Sequence, residues 1–249
     1  MKIEYHKTWS ENLNREVEYK TYGVCGRGVL VFPSQDQRFY EWEDNGMIEV
    51  MAPMIEAGEF HLICCDSIDA ETWSLTEGDY NERITLHEKW FKYITDELIP
   101  AVNNGKKLLV TGCSMGGYHA GNFFFRRPEL FDGIISLSGL FHADYFFPNY
   151  DNNLIYNNSP LDFLKDLSER NIKVGLYQNK TMIFCCGQGN YERVTGSSTN
   201  RLKDVLTKFN LNVWFDIWGK DVSHDFYWWR RQAKYFFEKI AYGSLPKAA

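Results

Sequence analysis

The sequence is short of several things, and each shortage excludes a class of protein. Its six cysteines include no C-x-x-C pair, so zinc sites and thioredoxin-type redox sites lack their usual signature. There is no basic excess. The 27 Lys and Arg stand against 33 Asp and Glu, a formal charge of -6, whereas a general nucleic-acid binder needs a basic face to displace phosphate counterions. There is no long apolar run. The longest uncharged stretch of note, Leu108 to Phe125, carries Gly112, Gly116, Gly117 and Gly121 with Thr111, Ser114, His119 and Asn122, and so is no bilayer helix. The opening residues Met1-Lys2-Ile3-Glu4-Tyr5-His6-Lys7 hold no apolar core of an export signal. No internal repeat, low-complexity tract or Pro/Ser linker interrupts the chain. These features point to a cytoplasmic protein without membrane or nucleic-acid partners, its thiols buried and reduced.

What is present describes a globular chain. Hydrophobic residues make up 44% of the 249 and aromatics 16%, enough for a core that needs no staples. Short β-rich runs alternate with longer helical ones, the pattern of a mainly parallel sheet covered by helices. Strand-like runs occur at Lys2–Trp9, Arg15–Tyr22, Gly28–Phe32, Phe60–Cys65, Lys107–Thr111, Gly133–Ser138, Met182–Cys186 and Val213–Trp218, the first two reading as an antiparallel pair. Helical periodicity is expected around Met47–Ile55, with a kink or break at Pro53, over Asn81–Val102, over Met115–Arg127, around Thr199–Phe209 and from about Asp225 onward. Residues 140–179 break the rhythm. They are rich in aromatics and Asn, only Leu161–Arg170 looks helical, and they read as an excursion over the sheet edge.

The most informative stretch is Val110-Thr111-Gly112-Cys113-Ser114-Met115-Gly116-Gly117. It places Gly-x-Ser-x-Gly directly after a strand and directly before a helix, the context that motif requires. In so tight a turn the apex residue is strained and its flanks must lack side chains, which Gly112 and Gly116 satisfy. The Ser114 hydroxyl would then stand at the carboxyl end of the sheet, with the backbone N–H of Met115 facing a developing oxyanion. A phosphate loop is excluded because Tyr118-His119 follow Gly117 where Lys and Ser/Thr are needed. Cys113 as the apex would put Thr111 and Met115 at the glycine positions.

A serine needs a base. His6 and His61 lie in strands and His87 and His119 within helices. His142 follows a strand and could reach substrate, but it precedes the expected acid. His224 sits in the loop between the last strand and the last helix, at the edge where Ser114 emerges, and gives the chain order Ser, acid, His. Asp225 reads as the cap of the last helix. The acid should follow the strand ending at Cys186, where Glu192 is the one carboxylate; Asp221, three residues before His224, is the fallback. A second oxyanion N–H is expected after the third strand, from Ser34 or Gln35, since Pro33 has none.

At these residues the sequence resembles the esterases of the α/β-hydrolase superfamily related to esterase D (S-formylglutathione hydrolase). The likeness runs from about Val29 to Phe237. It rests on Gly112-Cys113-Ser114-Met115-Gly116-Gly117, on Arg127-Pro128-Glu129-Leu130-Phe131-Asp132-Gly133 leading to Leu137-Ser138-Gly139, and on Ser223-His224-Asp225 before an aromatic helix. Two departures stand out: Phe32-Pro33 where such enzymes often carry His-Gly, and Asn190 where many carry the triad Asp. The resemblance implies a three-layer α/β-hydrolase fold, a mostly parallel eight-stranded sheet with antiparallel N-terminal strands and helices on both faces. The chain is then expected to be one such domain over 1–249, with a cap-like excursion at about 140–179. The function expected is a serine esterase: Ser114 as nucleophile, His224 as base and Glu192 as acid, acting on a small-molecule carboxylic ester through an acyl-enzyme. No metal or cofactor is expected. The same triad could instead serve an acyltransferase or amidase, and a non-catalytic hydrolase-fold binding module is the reading from another class. Nothing indicates a homo-oligomer beyond the aromatic last helix, which core packing explains equally well.

Overall fold

The computed structural model describes residues 1–243; the end of the expected domain, at 249, lies outside the described residues. Every expected strand forms, with ends that move by at most two residues. The hairpin of β1 (Ile3–Ser10) and β2 (Arg15–Tyr22) is antiparallel, and β2 pairs antiparallel with β4 (Phe60–Cys65). From there the pairing is parallel: β3 (Arg27–Phe32) lies between β4 and β5 (Leu108–Cys113), followed by β6 (Phe131–Leu137), β7 (Thr181–Cys186) and β8 (Trp214–Ile217). The spatial order is β1-β2-β4-β3-β5-β6-β7-β8. The chain leaves β3 toward β4 on one side and returns beyond it to β5 on the other. The crevice at the carboxyl ends of β3 and β5 is therefore a topological switch point, where open α/β sheets bind ligands.

The sheet is buried on both faces because its strands alternate apolar residues of both parities. One face presents Leu30, Phe32, Ile63, Val110, Ile134 and Phe184 to a core shared with the helices that follow β4, β5 and β7. These are α3 (Tyr80–Lys92), continued through a π turn at Tyr93–Leu98 into α4 (Ile99–Val102), then α5 (Met115–Arg126) and α9 (Arg193–Thr207). The opposite face presents Val29, Val31, Leu62, Leu109, Ile135 and Ile183 to α2 (Met47–Glu56) and α10 (Phe226–Ala241), with the single turn α1 (Glu41–Asp44) beside them. The adjacent cysteines divide as period-two geometry requires, Cys64 toward one core and Cys65 toward the other. All six cysteines are free, and only Cys25 is exposed.

Several expectations are corrected. Of the kink or break expected at Pro53, the break does not occur: helix α2 runs through to Glu56, held by Met51, Met54 and Ile55 in the core. The helix expected over Asn81–Val102 widens into the π turn just before Pro100, whose ring would clash with the carbonyl four residues back and which has no N–H to give it. Helix α9 begins at Arg193, six residues before the expected start, because Thr195, Ser198 and Thr199 bury a small polar face that apolar periodicity does not register. The excursion holds three short helices, not one: α6 (Asn153–Asn157), α7 (Pro160–Asp166) and α8 (Ile172–Tyr177). Helix α6 packs on α3, α7 on α5 and α9, and α8 on the turn Pro128–Leu130. Its many asparagines have structural work: Asn152 caps α6, Asn171 caps α8, and the Asn158 side chain contacts His87, Glu88, Asn122 and Arg126.

Phe123 of α5 is fully buried, with its ring 4.3 Å from Phe91 and 4.7 Å from Phe32. Phe123→Ala is expected to destabilise the protein by about 3–5 kcal/mol. Ile172→Ala, at a position 82% exposed, should cost under about 0.5 kcal/mol. Urea unfolding of the two variants checks both values.

Candidate active site

Ser114 lies between β5 and α5 with φ 56° and ψ -120°, a conformation that L-residues rarely adopt. Its glycine neighbours permit the turn. A Cβ on Gly112 would stand 2.4 Å from the Gly116 carbonyl carbon, and one on Gly116 would stand 2.3 Å from the Phe32 oxygen. The close approach of α5 to the end of β3 thus needs bare backbone at both positions. The Ser114 N–H donates to the Leu137 oxygen at 2.8 Å and is committed to the fold. The N–H of Met115 opens α5, where a helix has no acceptor of its own to offer. Cys113 points into the core, where burial pushes its thiol well above the ordinary range, so it stays protonated.

The imidazole of His224 meets Ser114, with Nε2 2.8 Å from Oγ. Glu192 stands behind it, its Oε2 3.5 Å from His224 Nδ1. That separation exceeds the usual 2.7–3.2 Å of an N–H···O bond, and Nδ1 has no closer acceptor among the described residues. Such looseness is common in catalytic pairs before substrate binds. The Trp229 ring stands edge-on to the imidazole, centroids 4.8 Å apart at 82°.

Two loops bring these side chains together, and a backbone seam joins them. After β7, Gly189 N–H donates to the Val222 oxygen at 2.8 Å; after β8, His224 N–H donates to the Asn190 oxygen at 3.0 Å. A Cβ on Gly187 would stand 2.1 Å from the Val222 oxygen, and one on Gly189 2.7 Å from it. Asn190, at the position where an Asp was sought, therefore serves the seam through its carbonyl, and the carboxylate comes two residues later.

Glu192 is 1% exposed. Burial pushes its carboxyl up, but contact with His224 and hydrogen bonds from the hydroxyls of Ser138 and Thr195 outweigh that and hold it below its ordinary 4.5. The Ser138 bond is 2.5 Å, and Ser138 Oγ in turn accepts from Trp229 Nε1 at 3.1 Å. In the sequence Ser138 figures only in the stretch Leu137-Ser138-Gly139, with no role given, and Thr195 and Trp229 are not singled out.

The other candidates fall as follows. Asp221 is exposed and has no hydrogen-bond or ion-pair partner among the described residues, so the fallback acid does not meet His224. Asp225 caps α10 through the Trp228 N–H. Ser34 is corrected as an oxyanion donor: its N–H donates to Glu41 Oε2 at 2.8 Å and its hydroxyl also bonds Glu41. Gln35 lines the cavity with Ser114, and its N–H has no acceptor among the described residues. His142 turns to Asp162, Nε2 to Oδ2 3.1 Å, beside the site. His119 pairs with Asp69 at 2.8 Å inside the core.

Above Ser114 opens a cavity of about 490 Å³, walled by Met115, Leu140, Tyr145, Phe146, Tyr191 and Val194. Apolar walls with few polar groups suit a small ligand. Among the described residues no group of three or more His, Cys, Asp or Glu could hold a metal ion, and no helix is long and apolar enough to cross a membrane.

Two outcomes follow from this geometry. Gly187→Ala should open the seam and cost more than about 2 kcal/mol, because the neighbouring atom is backbone and cannot turn aside; urea denaturation reads it. Glu192, held below its ordinary value, contributes stability that is present above about pH 4.5 and lost as pH falls through its lowered value. The stability gap between the native protein and Glu192→Gln should therefore narrow between pH 7 and pH 3, as unfolding at each pH will show.

Comparison with known proteins bears on the fold and the family. No curated protein matches the chain in sequence. Among solved structures, a ferulic acid esterase superposes with a TM-score of 0.73 at 14% identity, covering 97% of this chain and 98% of its own. An S-formylglutathione hydrolase from Agrobacterium tumefaciens gives 0.72 at 14% identity, covering 96% and 94%. The fluorophosphonate-binding serine hydrolase FphF of Staphylococcus aureus gives 0.66 at 15%, covering 96% and 98%. At such identities the likeness establishes the fold, that of the α/β-hydrolases. The family model described as "Putative esterase" matches residues 34–239, most of the chain. The chain belongs to this esterase family and is a carboxylic ester hydrolase.

Proposed function

We propose that the chain cleaves its ester through a Ser114-His224-Glu192 triad and an acyl-enzyme. The observation that carries this reading is the 2.8 Å contact between His224 Nε2 and the hydroxyl of a serine held in a strained turn. Ser114 Oγ attacks the ester carbonyl carbon while Nε2 takes its proton. The carbonyl oxygen gains the negative charge and receives the N–H of Met115, joined by that of Gln35. Each such donor is worth about 2.7–4 kcal/mol in the transition state. As the intermediate collapses, the C–O bond to the alcohol breaks and Nε2 returns the proton to the leaving oxygen. Water, deprotonated by Nε2, then attacks the acyl-serine carbonyl; the carboxylic acid leaves and Ser114 recovers its proton.

Glu192 serves as an ionised acceptor behind Nδ1. It fixes the tautomer that leaves Nε2 free to accept and steadies the imidazolium that forms. Its lowered proton affinity keeps it charged at neutral pH, which that role requires. The chain is read as one catalytic domain over 1–249, with residues 140–179 as a cap-like element. Leu140, Tyr145 and Phe146, which wall the cavity, support that reading. Six free cysteines, five of them buried, fit a cytoplasmic protein.

Ser114→Ala should lower kcat/KM for short p-nitrophenyl esters by at least about a thousandfold and abolish labelling by a fluorophosphonate, with an unchanged circular dichroism spectrum. Labelled Ser114→Ala would remove the nucleophile assignment. Glu192→Gln should lower kcat by about a hundredfold or more, whereas Asp221→Asn should leave it within about twofold. The reverse order in a steady-state assay would reassign the acid.

A further inference from the structure

We infer that the groove leading away from Ser114 along α9 binds an anionic group, a carboxylate or phosphate carried by the substrate at a distance from the scissile ester, through Arg193 and Arg201. The inference rests on the ester-cleaving reading above and names the class of ester.

The cavity over Ser114 does not end at the catalytic residues. A second cavity of about 460 Å³ shares Leu140, Tyr145, Arg193 and Val194 with it and extends along Ser197 and Arg201. Arg193, Ser197 and Arg201 are spaced by four on α9 and so form one row on one face of the helix. Eight residues of helix span about 12 Å, so the two guanidinium groups serve substrates of graded length.

Both arginines are exposed and face the cavities without a partner among the described residues. Several others are paired: Arg27 with Asp132, Arg38 with Asp66 and Glu18, Arg126 with Glu88. Neither Arg193 nor Arg201 has a carboxylate or carbonyl acceptor among the described residues. Arg170 is likewise unpaired, but it lies outside both cavities. The one acid in the second cavity is Asp144, which accepts the Asn149 N–H, and His142 there is turned to Asp162. Two arginines against one aspartate leave the lining with a formal charge of +1, in a chain whose total is -6. A guanidinium offers paired N–H donors that match a carboxylate or phosphate edge to edge. Glu192, next to Arg193, does not cancel it, because its carboxylate is buried on Ser138 and Thr195.

The test separates anion recognition from turnover. In the Ser114→Ala protein, calorimetry compares the monoethyl esters of succinate, adipate and suberate with ethyl butyrate, hexanoate and octanoate, which lack the second carboxylate. At least one chain length should bind about fivefold tighter or more as the anion, and the preference should vanish in Ser114→Ala/Arg193→Gln/Arg201→Gln and fall as salt is raised. Equal binding of anionic and neutral esters at every length would overturn the inference, as would a preference that survives removal of both arginines. In the otherwise native chain, the ratio of kcat/KM for the anionic and neutral esters should fall by the same factor when both arginines are replaced. A binding preference that depends on the arginines, in a chain that hydrolyses neither ester, would uphold the anion site and overturn the ester-cleaving reading.

Discussion

The site depends on one close approach: the first turn of α5 lies against the end of β3, near enough that a Cβ on Gly116 would collide with the Phe32 carbonyl. This contact holds Ser114 at positive φ, where it would not rest in a flexible chain. Strain of order 1–3 kcal/mol at such a residue persists only when its surroundings over-determine it. Here they do, since β5 is central in the sheet and α5 is buried along nearly its whole length. The hydroxyl is therefore presented by rigid elements, and its partners arrive on loops.

Those loops are themselves fixed. The seam between the segments after β7 and β8 is made of backbone hydrogen bonds and bare glycines, so the separation of Glu192 from His224 is set by main chain and not by side-chain packing. Around the carboxylate, the balance is electrostatic. Desolvation alone would raise its proton affinity and leave a neutral acid, which could not stabilise an imidazolium. Contact with His224, joined by donors from Ser138 and Thr195, reverses the sign, and Trp229 steadies Ser138 while facing the imidazole. A buried carboxylate with its oxygens satisfied can stay ionised where an unpartnered one could not.

Much of this is legible in the sequence, for identifiable reasons. The turn at Ser114 can be read because steric need restricts its flanks to glycine, and His224 because strand and helix signals on either side place its loop at the right edge. Glu192 can be reached only by elimination, since Asn190 occupies the position where an Asp was sought and gives its carbonyl to His224 N–H instead. What escapes reading depends on tertiary contact. The early start of α9 rests on a small polar face, the π turn on how the chain relieves Pro100, and the occupation of Ser34 on a carboxylate seven residues away. Two of the three short helices of the excursion, α6 and α8, are set by asparagine caps, a signal too local to be told in advance from ordinary turns.

A double-mutant cycle tests most directly whether Ser114 and His224 act as one unit. Ser114→Ala, His224→Ala and the double variant are compared by kcat/KM on a single ester. Coupled residues predict that the double variant is no slower than the worse single one, because removing either already removes the shared step. Losses that multiply, each variant contributing its own independent factor, would contradict a triad at this site.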